Sequence, residues 1–248
     1  AEGRALLKAY DGVVASLEKA VHSIEALRSG RAGMVVLGVV STAKYFAPEL
    51  VAGLRKVLPD VEVILKVGNR GEIITGLEDR AFDLALMGRP PRTPPVSATP
   101  IGPNPHLLVA AVGHPLATRQ NITPEEIFEQ PFIARESGSG TRTLSERFLH
   151  GLDAGDPSEI IEMSSNETIK QSVLAGLGIA ILSQHTITEE LHGGRLVALP
   201  AAGLPIVRQW FLLYPSDEPL SGSSRAVHDQ IVSLAKPVFD RNLSQRAG

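Results

Sequence analysis

Residues 34–88 read MVVLGVVSTAKYFAPELVAGLRKVLPDVEVILKVGNRGEIITGLEDRAFDLALMG. MVVLGVV, 34–40, is a continuous apolar run, as a strand buried on both faces requires. Ser41 and Thr42 stand where they can cap a helix through KYFAPELVAGLRKVL, and Pro59-Asp60 ends it. VEVILKVG is a second strand, Asn69 and Arg70 lead into EIITGLEDR, and FDLALMG is a third strand. This alternation predicts a parallel sheet with crossover helices. Such sheets hold ligands at the carboxyl ends of their strands, so the loops at 41–42, 69–70 and 88–89 fall on one functional edge.

Downstream, the proline-rich GRPPRTPPVSATPIGPNP, 88–105, is expected to connect two lobes. A second set then begins with a strand over HLLVAAVGHPLA, a helix at TPEEI capped by Thr123, and the strand PFIARE. The helix TRTLSERFLHGL, the strand EIIEMSS, the helix ETIKQSVLAGLG and the strands IAILS and RLVALP follow. The strand IVRQWFLLYP and a helix from Ser223 to about Phe239 close the chain. The first set has too few elements for a complete sheet, so the lobes are expected to exchange strands.

The first thirty residues stand apart. Leu7, Tyr10, Val14, Leu17, Val21 and Ile24 recur at spacings of three and four, a coiled-coil-like seam. Ser29 to Gly33 then supply a stop and a hinge. An amphipathic helix lying on its own domain is the plain alternative; a narrow seam tethered by glycines favours pairing with another chain.

Composition excludes several classes of function. The net charge of −3 lacks the footprint of a nucleic-acid binder. No cysteine is present, which removes disulfides and thiolate chemistry and fits a reducing cytoplasm. No apolar run reaches the roughly 18 residues of a membrane span. The 7 histidines are scattered singly, without HxH or HExxH, so no metal or cofactor is expected. A serine nucleophile would be expected on GxSxG, which Gly138-Ser139-Gly140 does not match. GSGTRT also lacks the GK[ST] of a P-loop and the third glycine of a dinucleotide fingerprint. Glu125-Glu126 and Glu189-Glu190 read as solvated helix positions.

The remaining chemistry is anion binding. In FIARESGSGTR, 132–142, an apolar strand ends at Arg135-Glu136, and Ser137, Gly138, Ser139, Gly140, Thr141 and Arg142 open a helix. A helix start offers unpaired N–H groups and partial positive charge, and glycines admit a ligand close to the backbone. Arg142 and Arg135 can add bidentate donors. The plain alternative has Ser139 or Thr141 capping its own helix while the arginines pair with Glu136 or Glu146. Side chains alternate along a strand, so which of Arg135 and Glu136 faces the cleft stays open. Ser41-Thr42, Asn166-Glu167, Asn69 and Arg89 mark further helix starts and strand ends on the same edge. For Asn166, Ser164 and Glu167 are also spaced as a capping box. Arg89, before Pro90-Pro91, is the least demanded by folding.

VLGVVSTAKYFAPELVAGLRKVLPDVEVILKVGNRGEIITGLEDRAFDLALMG, with FIARESGSGTR, SNETIKQSVLAGLGIAILS and GGRLVALP, resembles the effector-binding domain of LysR-type transcriptional regulators over about 34–235. MGRPP and SNETIKQSVLAGLGIAILSQHTI resemble the branch of that family that regulates the Calvin-cycle RuBisCO operon. The resemblance implies a non-enzymatic, cytoplasmic α/β protein. It implies two Rossmann-like lobes of periplasmic-binding-protein type II architecture, preceded by a long linker helix. The expected boundaries are 1–30 for the linker and dimerisation helix, 34–104 with 206–241 for lobe I, and 105–205 for lobe II. An N-terminal winged helix-turn-helix that contacts promoter DNA would lie outside this chain. The implied assembly is a homodimer or a tetramer built from two dimers. The implied effector is a small anion such as a sugar bisphosphate, phosphoenolpyruvate, ATP or NADPH.

The family's effector positions map onto Ser41, Thr42, Asn69 and Arg89, with Ser139 to Arg142 opposite; Glu136, Ser137, Gly138, Asn166 and Glu167 complete the expected ligand-binding set. Arg142 is expected to hold the anion across the cleft from Ser41-Thr42. Asn69 stands where many relatives carry Ser or Thr, which alters donor geometry. A periplasmic solute-binding protein of the same fold is the main rival. An enzyme on a phosphorylated sugar, with Glu136 or Glu167 as base, and a ligand-free interaction domain are the others.

Overall fold

The computed structural model describes residues 32–244 except 154 and 156, together with positions 17, 21 and 24; of 242–244 it describes the backbone alone. Leu7, Tyr10 and Val14 of the expected seam lie outside the described residues. Leu17, Val21 and Ile24 are helical and 62, 53 and 53 % exposed.

Strand β1 (Ala32–Val40) pairs in parallel with β2 (Asp60–Gly68) and β3 (Leu84–Met87). Helix α1 (Ala47–Val57) buries Ala47, Leu50 and Leu54, and α2 (Arg70–Glu78) buries Ile73 and Leu77. The cap expected at Ser41-Thr42 needs correction, because Ser41–Tyr45 is a 3-10 turn and α1 begins only at Ala47. Pro48 in the first turn explains this: it has no N–H for the carbonyl of Lys44, and its ring would clash there. The hydroxyls of Ser41 and Thr42 are thereby released from capping.

The stretch expected to be a connection is mostly strand. β4 (Val96–Ala111) runs 16 residues and carries Pro100, Pro103 and Pro105. Up to Pro105 it pairs, among the described residues, only with β9 (Ile206–Pro215), across a bulge between Pro100 and Gly102. One edge of that half is unpaired, and an edge strand tolerates missing N–H groups. From His106 onward β4 also pairs with β7 (Ala180–Ser183), and near its end with β8 (Leu196–Ala198).

Helix α3 (Pro124–Phe128) has the expected Thr123 cap, completed reciprocally by Glu126. It leads into β5 (Pro131–Arg135), which pairs with β6 (Glu159–Met163). The N–H of Ile133 donates to the carbonyl of Ile179 (2.8 Å), which ties β5 to the segment entering β7. Two sets of strands therefore share one order, β2-β1-β3-β9-β4 and β6-β5-β7-β4-β8. The first set takes its antiparallel strand, β9, from the far end of the chain, and the long β4 runs through both sets.

Alternation along β4 feeds opposite faces of the second set. Leu108 and Ala110 pack with Phe132, Phe148 and Ile181, whereas Leu107 and Val109 pack with Ile133, Val173 and Ile187. In the first set Leu37, Leu50 and Trp210 pack with Ile231 and Phe239 of α7 (Gly222–Ser244). Helices α4 (Gly140–Gly151), α5 (Asn166–Leu174) and α6 (Gln184–His192) belong to the second set. Helix α6 had no place in the expected element order. Its Glu190 corrects a further expectation. It is 5 % exposed rather than solvated, and it pairs with Lys170 and Arg195, each at 3.1 Å.

Gly178 marks where the backbones crowd. A Cβ there would sit 2.2 Å from the carbonyl oxygen of Pro131, which accepts the N–H of Ile179. Gly178→Ala is expected to cost about 2–3 kcal/mol and to lower Tm by roughly 5–10 °C. Gly113→Ala, with nothing within 4 Å of its Cβ position, is the control. Calorimetric melting of both decides: equal Tm values would show that β5 and Ile179 separate freely.

Candidate ligand-binding cleft

A cavity of about 110 Å³ opens between the two sets of strands. The ends of β1, β2 and β3 contribute Ser41, Thr42, Asn69, Arg70 and Arg89. From the opposite side come Ser139, Gly140, Thr141 and Thr143 at the start of α4. The crossing strands β4 and β9 contribute Asn104, His106, Arg208 and Trp210. The two sides approach closely: a Cβ on Gly140 would lie 3.8 Å from the Cδ of Arg70. Seven sequence-predicted residues thus line one cavity: Ser41, Thr42, Asn69, Arg89, Ser139, Gly140 and Thr141.

The electrostatics are one-sided, since among the described residues no aspartate or glutamate lines the cavity. Arg70 donates to the backbone carbonyl of Arg89 at 2.5 Å and lies beside the sulfur of Met87. Burial pushes its guanidinium below its ordinary value, and repulsion from Arg89 and Arg208 adds to this. Arg208 is lowered by burial and then by Arg147 and Arg89. Among the described residues, none of Arg70, Arg89 and Arg208 pairs with a carboxylate. His106 adds no charge, because burial pushes its imidazole down to about 4, although Nδ1 lies 3.0 Å from the carbonyl of Asn104. Like charges gathered without a counter-ion repel one another, and a bound anion relieves that.

Beneath the cavity a buried network joins the two sides. Arg135, 3 % exposed, holds Glu136 through two hydrogen bonds of 2.6 and 2.7 Å. Its remaining nitrogen donates to Asn166 Oδ1 (2.8 Å) and Ser41 Oγ (3.3 Å), and Asn166 Nδ2 donates to Thr42 Oγ1 (3.1 Å). Arg135 thus faces the cleft. Alternation does not separate it from Glu136, because β5 ends at Arg135.

The other sequence-predicted residues stand outside the lining. Ser137 and Gly138 form the exposed turn before α4, Gly138 at φ +85°. Arg142 does not reach across the cleft as expected: it bonds Glu146 (2.6 Å), Glu162 (3.3 Å) and the carbonyl of Arg135 (3.1 Å). Ser139 caps α4 by accepting the N–H of Thr141, so the plain alternative for these residues is realised alongside their place at the cavity. The cap of α5 is Ser165, one residue later than the expected box, which leaves Asn166 free to bridge. Glu167 accepts from Tyr45 Oη at 2.9 Å. Desolvation opposes its charge, but donors from Gln171, Tyr45 and Lys170 hold its carboxyl below the usual range. Both carboxylates once available to a sugar-phosphate enzyme are therefore engaged outside the cavity.

Arg70 and Arg208 were not among the expected ligand positions. Arg208 and Trp210 alternate on one face of β9, and a cation on the buried face of an apolar strand was the signal available. No group of three or more metal-ligating side chains occurs among the described residues. No described helix is long and apolar enough to cross a membrane.

Residues 28–236 match the family model described as the LysR substrate binding domain. The HTH-type transcriptional regulator CbbR of Cereibacter sphaeroides is 47 % identical over 232 residues, covering 94 % of this chain and 75 % of that protein. The RuBisCO operon transcriptional regulator of Acidithiobacillus ferrooxidans is 37 % identical, covering 95 % and 76 %. Among solved structures, the CcmR regulatory domain of Synechocystis PCC6803 in complex with 2-PG superposes with a TM-score of 0.77. That domain is 33 % identical, and the match covers 82 % of this chain and 98 % of that one.

Proposed function

The chain belongs to the LysR substrate-binding domain family, and from that premise we propose that it senses a small phosphorylated metabolite and thereby controls RuBisCO and other carbon-fixation genes. Its relatives are transcriptional regulators, a non-enzymatic family, and the solute-binding alternative finds no support among them. The observation that carries the reading is the set of Arg70, Arg89 and Arg208 around a cavity that no carboxylate lines among the described residues. Ser41, Thr42, Asn69 and the start of α4 supply neutral donors around them. The relative captured with 2-PG supports a phosphorylated anion as the ligand class.

Binding between the lobes would tighten the junction at Ser41–Tyr45, which already bonds Arg135, Asn166 and Glu167. A ligand shifts an equilibrium only by its preference for one state, about 1–3 kcal/mol in typical coupled systems. The exposed Leu17, Val21 and Ile24 support pairing of the N-terminal helix with that of a second copy, through which closure would be transmitted.

Calorimetric titration with 2-PG, ribulose bisphosphate, phosphoenolpyruvate, ATP and NADPH tests the reading. At least one should bind saturably, with Thr42→Ala weakening it about three- to tenfold and Arg142→Ala leaving it within twofold. No binding by any of them would retire the phosphorylated-metabolite reading and leave the family assignment standing.

A further inference from the structure

The cationic field does not stop at the cavity. Thr143 lines it, and Arg147 follows four residues later on the same face of α4, about 6 Å further along the helix axis. Arg147 is exposed and lies within electrostatic reach of Arg208. It has no carboxylate partner among the described residues, and the glutamate beside it, Glu146, is held by Arg142. An exposed helix arginine is ordinarily just solvated. This one stays beside another unpaired arginine, where repulsion should turn it away unless a ligand completes the arrangement.

We propose that Arg147 is a specificity residue for a second anionic group. One phosphoryl or carboxylate group enters the cavity among Arg70, Arg89 and Arg208, and the other remains at its mouth against Arg147. Extended bis-anions are then preferred over mono-anions of the same skeleton. This rests on the reading of the cleft as an anion site.

The test is titration of the wild-type chain, Arg147→Gln, Arg147→Lys and Arg208→Gln with ribulose 1,5-bisphosphate and ribulose 5-phosphate. The wild type should prefer the bisphosphate about tenfold. Arg147→Gln should weaken the bisphosphate about fivefold and the monophosphate by less than half as much. Arg147→Lys should keep most of the preference, and Arg208→Gln should weaken both probes. Equal weakening of both probes by Arg147→Gln, or an unchanged ratio, overturns the proposal while the cleft reading survives. If neither probe binds the wild type, the proposal fails, and the cleft reading fails with it only if 2-PG, phosphoenolpyruvate, ATP and NADPH do not bind either.

Discussion

Arg208→Gln is expected to weaken binding of a phosphorylated ligand by roughly 10- to 100-fold, the range for a charge-assisted hydrogen bond lost from a partly buried site. The unliganded protein is expected to melt at the same temperature or higher. The two halves of this result share one cause. Arg208 is half-buried beside Arg89 and Arg147 and pairs with no carboxylate among the described residues. Without ligand its charge pays desolvation and repulsion, and removing it orphans no acceptor. With ligand those same charges become the attraction. In the wild type, ligand at a hundred times Kd should add about 2.7 kcal/mol of stability, a rise in Tm of roughly 5–10 °C; the variant should lose that rise. Scanning calorimetry with and without 2-PG reads both effects. A Tm that falls by several degrees while affinity holds would make Arg208 a structural residue.

What the sequence made legible follows from how local each signal is. The strands over 34–40 and 61–68 and the Thr123 cap depend on apolar runs and a side chain three residues from its partner. They were placed to within a residue or two. Helix α1 shows a local signal misread. Ser41-Thr42 looked like its cap, but Pro48 blocks the turn between them and moves the start to Ala47. The first half of β4 was hidden because its prolines argue against a strand, and the edge left unpaired up to Pro105 among the described residues reconciles them; the second half, from His106, was expected. Glu190 looked solvated because its partners lie on α5 and beyond the end of α6.

The cleft divides the same way. Hydroxyls, an amide and a glycine at helix starts marked Ser41, Thr42, Asn69 and Gly140, since a helix start is visible in sequence. Arg208 and His106 come from the middles of crossing strands, which no loop signal marks. The sequence could not separate Arg142 from Arg135 as the cleft-facing arginine either. That choice turns on where β5 stops and on Glu146 and Glu162 lying within reach of Arg142.

Arg135→Met is expected to show what the buried network contributes. Methionine fills much of the same volume, so the loss is chiefly polar. Glu136 loses both of its hydrogen bonds from Arg135, Asn166 Oδ1 loses a donor, and Ser41 loses its tie to the second lobe. Breaking a buried pair from one side costs about 3–5 kcal/mol, and because Glu136 is 23 % exposed the expected cost here is reduced to about 2–4 kcal/mol. The matching fall in Tm is roughly 5–10 °C. Adding Glu136→Gln should recover at least half of it, since a buried ion pair removed from both sides costs far less than one broken from a single side. Ligand affinity should not recover with stability, because the double variant still lacks the bonds from Arg135 that fix Ser41 and Asn166 across the cleft. If affinity returns together with Tm, Arg135 serves folding alone. If the single variant melts with the wild type, the lobes are held by their exchanged strands and not by this network.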